Sequence, residues 1–246
     1  MHDEENVVIA GRNPVIEALK SGGELEKIHI SKGAVGSVIK IAAMAKERGV
    51  PVHYVEKQIL DKMDTGSHQG VVAFLSAYRY CEIEDIMELA YIRREDPFIV
   101  ILSGIEDPQN LGAIIRTAEA AGVHGLIIPK RRAAGLTAAV MKASAGALSH
   151  MLCARVPNIA QAIDKLKGMG FWIYACDTGG ELYHVKILTG GIGLVIGGEG
   201  SGVGRLIREK CDSVLSIPMK GEIKSLNASN AAAILMYEVR RQRDGK

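Results

Sequence analysis

Short apolar runs alternate with amphipathic stretches along the whole chain. Val7–Ala10 predicts a first strand, and the stretch from Arg12 predicts a helix that Pro14 can start and Gly22–Gly23 end. KIHIS alternates as a strand, Val38–Arg48 is amphipathic and closed by Gly49, VPVHYV is a strand, Lys57–Met63 a short helix and VVAFLSAY another strand. His68–Gln69–Gly70, just before that last strand, reads as a structural turn. These elements predict a compact α/β unit over residues 1–76.

The pattern then changes. Residues 77–96 are charged, weakly helical and followed by Pro97, and read as a connector rather than a core element. From residue 97 to 246 the alternation is regular. FIVILSG, GLIIP, MLCARV, FWIYAC, GLVIGG and SVLSIP predict strands; LGAIIRTAEAAG, Leu136–Leu148, Ile159–Lys167, VGRLIREKC and LNASNAAAILMYEVRRQR predict the helices between and after them, with Ser225 a candidate cap for the last. Repeated βα units imply a mostly parallel sheet with helices on both faces. Ligands in such sheets sit beyond the carboxyl ends of the strands. That rule selects Gly104–Asn110, Asp177–Gly180, Gly197–Gly204 and Met219–Leu226.

Composition narrows the class. The chain is 48% hydrophobic and 24% charged, as expected of a packed globular protein. A net charge of +2 gives no global basic field, so any nucleic-acid contact must be local. Arg12, Lys27, Lys32, Lys40, Lys46 and Arg48 make the first unit locally basic, either as a solvated face or as a contact surface. Cys81, Cys153, Cys176 and Cys211 have no metal-ligand spacing and read as buried free thiols of a reducing compartment. MHDEEN lacks a signal-type apolar core and no apolar run approaches bilayer length, so a cytoplasmic location and no membrane partner are expected.

Gly193–Gly204, GLVIGGEGSGVG, is the most unusual stretch. Five glycines within Gly197–Gly204 allow close backbone approach and a concave surface of amides, with Glu199 among them. Arg205 stands where a dinucleotide fingerprint starting at Gly200 needs its third glycine, and no GxxxxGK[ST] loop is present. In the first selected loop, Glu106, Asp107, Gln109 and Asn110 precede a helix whose apolar stripe is Leu111, Ile114, Ile115, Ala118 and Gly122. Arg116 lies about 140° from the start of that stripe, facing solvent or a partner. Asn110 is placed to cap the helix or to touch a ligand. In the last loop, Ile217, Met219 and Leu226 suit an apolar wall, while Ser225, Asn227 and Asn230 bring polar groups to a helix start, with Lys220 and Lys224 nearby. Lys130–Arg131–Arg132 is a short basic run suited either to phosphate contact or to solvation.

EDPQNLGAIIRTAEAAG, LVIGGEGSGV and IPMKGEIKSLNASNAAAILMYE resemble, in order and spacing, the three motifs of the SpoU-type RNA ribose methyltransferases of the trefoil-knotted (SPOUT) class. The resemblance covers Phe98 to about Arg241. GRNPVIEAL and TGSHQGVVA are similar to the small ribosomal-protein-like (L30e-like) RNA-binding domain of the bacterial 23S ribosomal RNA guanosine-2′-O-methyltransferases. The resemblance implies S-adenosylmethionine as cofactor, held by Ile196, Gly197, Gly198 and Gly200, by Ile217 and Met219, by Leu226 and by the loop at Asp177. It implies that Arg116 and Asn110 work at the target ribose, Arg116 orienting and stabilising charge, with Ser225 and Asn227 positioning substrate or cofactor and Glu199 holding the glycine loop. It implies a homodimer through the knotted domain, with RNA contacts from Arg12, Lys130, Arg131 and Arg132, and neither a metal nor a DNA partner. Transfer RNA as substrate, and a noncatalytic RNA-binding assembly factor, are the competing expectations.

Overall fold

The computed structural model describes residues 8–20, 25–63, 67–75, 78–198, 202–222 and 225–245. It contains two compact units, one running to Arg79 and including Gly135–Ala138, the other formed by Tyr80–Ala134 and Ala139 onward. No helix of the described residues is long and apolar enough to cross a membrane.

The N-terminal unit runs β1 (Val8–Ala10), α1 (Arg12–Lys20), β2 (Leu25–Ser31), α2 (Ser37–Glu47), β3 (Val52–Val55), α3 (Lys57–Met63) and β4 (Val71–Leu75). Its sheet has the order β1-β4-β2-β3; β4 runs antiparallel to both neighbours, and β2 pairs parallel with β3. The pleat sends alternate side chains of β2 and β4 to opposite faces. Ile28, Ile30, Val71 and Ala73 therefore join Val15, Leu19, Val38 and Ile41 of α1 and α2 in one core. Val72 and Phe74 meet Leu60 of α3 on the other face.

The C-terminal unit begins with α4 (Ile83–Arg93), followed by β5 (Phe98–Ser103), α5 (Pro108–Ala120), β6 (Gly125–Pro129), α6 (Ala138–Ala143), a 3-10 turn (Ala147–His150), β7 (Leu152–Val156), α7 (Ile159–Gly168), β8 (Trp172–Leu182), β9 (Ile192–Gly197), α8 (Arg205–Lys210), β10 (Ser213–Ser216) and α9 (Ala228–Asp244). Six strands form one parallel sheet in the order β10-β8-β9-β5-β6-β7. Its central strands β5 and β9 are buried along nearly their whole length, as two covered faces require. On one face Ile163 and Leu166 of α7 pack against Ile99, Ile101 and Val195. On the other, α5 packs against α9.

Three expectations are corrected. The stretch read as a connector holds α4, with a capping box between Glu82 and Asp85, and its Ile83 and Ile86 sit in the sheet's core. The charged residues that suggested a linker occupy the solvent face of an amphipathic helix. The single helix expected over Leu136–Leu148 is instead the six residues of α6 and then a 3-10 turn, separated by Ala145 and Gly146 at φ 50° and 88°. A Cβ on Gly112 would collide with the Cβ of Ala143, so the end of α6 lies directly on α5. Asp177–Gly180, expected as a loop, continues β8, whose pairing with β10 shifts register after Val214.

Candidate functional site

All six strands of the C-terminal sheet point the same way, so their carboxyl ends share one edge. At that edge β9 delivers Gly197 and Gly198 against the turn after β5. The Gly198 N–H donates to the Ser103 carbonyl at 2.8 Å, and the Gly202 N–H returns to the Gly198 carbonyl at 3.2 Å. A Cβ on Gly197 would stand 2.2 Å from the Gly202 carbonyl carbon, and one on Gly198 would stand 2.0 Å from the Gly104 carbonyl oxygen. Neither strand end could close this way with a side chain present. Gly104 turns with φ +83°, which an L side chain rarely adopts. Glu199 and Gly200, assigned from the sequence to this loop, lie outside the described residues.

These backbone approaches frame a cleft of about 670 Å³. Seven expected cofactor positions line it together: Asp177, Ile196, Gly197, Gly198, Ile217, Met219 and Leu226. Ser225 and Asn227 share the wall. Thr178 and Gly202, from two of the loops the sequence selects, line it as well, and so do Cys176, Leu215, Ala231 and Leu235, which the sequence does not mark as ligand contacts. Leu215 and Leu235 belong to apolar stripes, and nothing in a stripe distinguishes a pocket wall from a core position. Asp177 accepts from the Thr178 N–H at 2.7 Å and lies 3.5 Å from Arg208, an ion pair at the cleft's edge. Burial, with Cys211 and Asp177 adding to it, pushes the Cys176 thiol far above its ordinary pKa, so it faces the cleft as a neutral, apolar group.

Ser225 does not cap the last helix. Asn227 does: its Oδ1 accepts from the Ser229 N–H at 2.9 Å, and α9 starts one residue later than Asn227. Asn110 does not cap α5 either; Asp107 accepts from the N–H groups of Gln109 and Asn110. A carboxylate two or three residues upstream satisfies those amides. The Asn227 Nδ2 then donates to the Asn110 Oδ1 at 2.9 Å.

Asn110 belongs to a second cleft of about 720 Å³, beside the first and sharing Gly202 with it. Glu106, Asp107, Arg131 and Arg132 line this second cleft. Lys130 does not, although it is contiguous with them; its N–H is tied to Val156 in the sheet ladder. Arg116 lines neither cleft. It is exposed on α5, opposite the stripe of Leu111, Ile114, Ile115 and Ala118, and makes no ion pair among the described residues. Six residues of helix put it roughly 9 Å along the axis from Asn110 and on a different side. Arg12 is in the other unit.

The first cleft fits an adenosyl sulfonium. Apolar Ile196, Leu215, Ile217, Met219 and Leu226 offer surface to a purine, and the Gly197 and Gly198 backbone comes within reach where a Cβ would block it. The Asp177 carboxylate suits a cationic ligand. The volume lies within the usual range for small-molecule sites, about 300–1,000 Å³.

Comparison with known proteins agrees. The SpoU rRNA Methylase family matches residues 97–237, and the family "RNA 2′-O ribose methyltransferase substrate binding" matches residues 8–81. YacO of Bacillus subtilis, provisionally named a TrmH family tRNA/rRNA methyltransferase, is 45% identical over 244 residues, 98% of each chain. The SpoU methyltransferase AviRb from Streptomyces viridochromogenes, solved with AdoMet, superimposes with a TM-score of 0.62 at 26% identity, over 97% of this chain and 91% of its own. The TrmH/SpoU tRNA modifying enzyme of A. aeolicus gives 0.56 at 28% identity, over 66% of this chain and 84% of its own. The chain therefore belongs to the SpoU/TrmH family: it is an S-adenosylmethionine-dependent RNA 2′-O-ribose methyltransferase of the SPOUT fold, its parallel sheet consistent with a trefoil knot.

Proposed function

We propose that this enzyme methylates the ribose 2′-oxygen of a guanosine in 23S ribosomal RNA, as RlmB-type enzymes do, in the cytoplasm. The observation that carries the reading is the Asn227–Asn110 hydrogen bond, which joins the cofactor cleft to a second cleft edged by arginines. Methyl transfer between two ligands needs two adjoining sites with a fixed relation. The bound cofactor supplies an electrophilic methyl on sulfur. Asn227 and Ser225, at the start of α9, orient what lies in the first cleft, and Asn110 positions the ribose hydroxyl beside it. Glu199 holds the glycine loop. Arg131 and Arg132, with Lys130, receive RNA phosphates. Arg116 offsets the charge that develops as the 2′-oxygen loses its proton; an arginine is a poor proton acceptor, so its part is electrostatic.

Because Arg116 points away from both clefts of its own subunit, the reading places it at the site of a second copy. The enzyme then works as a homodimer through its knotted domain, with small residues on α9 allowing close approach. A first domain over 1–76, L30e-like and in contact with RNA through Arg12, and a methyltransferase domain over 97–246 accompany the proposal, with α4 packed in the core of the second unit rather than serving as a linker. Ribosomal RNA is favoured over transfer RNA by coverage: the A. aeolicus tRNA enzyme matches 66% of the chain, whereas the substrate-binding family accounts for residues 8–81. Incubating the protein with labelled S-adenosylmethionine and either unmodified 23S ribosomal RNA or unmodified bulk transfer RNA, then mapping the label, tests the reading. Label on a 23S guanosine ribose is expected; label confined to transfer RNA overturns the substrate, and none in either overturns the activity on both.

A further inference from the structure

The turn His68–Gln69–Gly70, which the sequence offers only as a connection, lines a cleft of about 580 Å³ within the N-terminal unit together with Arg12, Lys57, Asp61 and Ser67. Its parts are held in place with unusual care. The Arg12 Nε donates to the Gln69 carbonyl at 3.0 Å, and one terminal nitrogen reaches the Ser37 hydroxyl at 3.5 Å. Gly36 makes room for it: a Cβ there would lie 3.3 Å from that nitrogen. Gln69 itself is in the left-handed region, at φ 50°. The guanidinium is therefore aimed, yet Arg12 has no carboxylate partner among the described residues, and neither does Lys57. Two unneutralised cations on one concave wall suit a phosphate.

The carboxylate on the same wall is oriented too. The Gly70 N–H donates to the Nδ1 of His68 at 2.9 Å, so that nitrogen bears no proton and Nε2 bears one. Nε2–H lies 2.8 Å from the Asp61 Oδ1. The His68 ring is buried, while the Asp61 side chain is half exposed. A buried ring thus fixes one oxygen of Asp61, and the half-exposed side chain offers its second oxygen as an acceptor.

Resting on the reading that the chain acts on RNA, we propose that this cleft seats one ribonucleotide of the substrate strand. Its phosphate lies between Arg12 and Lys57, and its 2′-hydroxyl donates to Asp61. The 2′-hydroxyl is the group by which a protein separates RNA from DNA. The site therefore gives the N-terminal unit a preference for ribose without reading a base, through His68 acting as a positioning residue.

The test uses the full chain, without cofactor, and labelled oligouridylate and oligodeoxyuridylate of equal length, which differ only in the 2′-hydroxyl. Lys57→Ala and Arg12→Lys with Lys57→Ala should weaken both probes. The dependence of log Kd on log salt should flatten by about 0.7 for each cation lost. Asp61→Ala should reduce the ribo-over-deoxy affinity ratio about tenfold, the worth of one hydrogen bond to a charged acceptor. An unchanged ratio in Asp61→Ala overturns the assignment of Asp61. Unchanged affinity and salt slope in the Lys57→Ala proteins overturns the phosphate site. Lys57 and Asp61 are exposed on α3, so folding of these variants, checked by thermal melts, is expected to hold. Methyl transfer plays no part in the readout, so a failed methylation assay does not decide it.

Discussion

Asn227 at the head of α9 and Asn110 in the first turn of α5 are 117 positions apart and joined by a 2.9 Å hydrogen bond from Nδ2 to Oδ1. The same Asn227 caps its own helix through Oδ1. One side chain therefore makes two separable contacts, one within its own helix and one across to α5.

Substitution can part them. Asn227→Ser keeps a good capping oxygen but is too short to reach Asn110, whereas Asn227→Ala loses both. Asn227→Ala should cost about 1 kcal/mol of stability, and Asn227→Ser only a few tenths. Both should lower methyl transfer at least tenfold if the bridge sets the geometry of the two clefts. Chemical-denaturation curves beside single-turnover methylation check this; near-normal turnover in Asn227→Ser removes the bridge from the mechanism.

Glycines at the end of β9 divide sharply by the space around them. Gly198→Ala puts a Cβ against the Gly104 carbonyl, a backbone atom that has no rotamer to yield. A destabilisation of about 1–3 kcal/mol and loss of cofactor binding are expected. Gly204→Ala meets nothing within 4 Å and should leave both unchanged. Calorimetric titration with S-adenosylmethionine, alongside melting temperatures, separates the pair.

Arg116→Ala removes an exposed side chain with no ion pair among the described residues, so stability should change by less than about 0.5 kcal/mol. Cofactor affinity should stay near normal while turnover is nearly abolished. Mixing Arg116→Ala subunits with Gly198→Ala subunits should restore part of the activity, since mixed dimers then contain one intact composite site. Absence of any rescue, with heterodimers demonstrated, refutes the contribution across subunits.

His29 of β2 packs edge-on against His53 and Phe74. Burial first, then Lys27 and His53, lowers its pKa to about 4 from 6.5. The folded state thus resists a proton that the unfolded state accepts. Stability from this residue is complete above about pH 6.5 and declines as pH falls from there toward 4. Urea melts across that window should show the decline in the wild type and a shallower one in His29→Gln.

The alternation of apolar runs, the density of glycine after Ile196 and the three motifs were enough to determine a parallel α/β sheet, a glycine-lined edge and the family's chemistry. Helix and strand periods and the backbone freedom of glycine are local properties and suffice for the sheet and its edge, whereas the chemistry came from the resemblance of the three motifs to the SpoU-type family. Tertiary structure decided the rest. Whether α4 was linker or core depended on what its Ile83 and Ile86 met, since an amphipathic helix with a charged outer face has the composition of a connector. Leu215 and Leu235, almost wholly buried, serve both as core and as cleft wall, which their apolar stripes do not distinguish. Asn227 and Asp107, not Ser225 and Asn110, became the caps because the helices start where packing sets them. His68 and Asp61 were unremarkable until the chain placed them 2.8 Å apart. Where the deciding contacts are long-range, as for α4 against the sheet and Asn227 against Asn110, no local pattern encodes them; the caps and the His68–Asp61 pair, two to seven residues apart, depend on where packing starts each helix and turn.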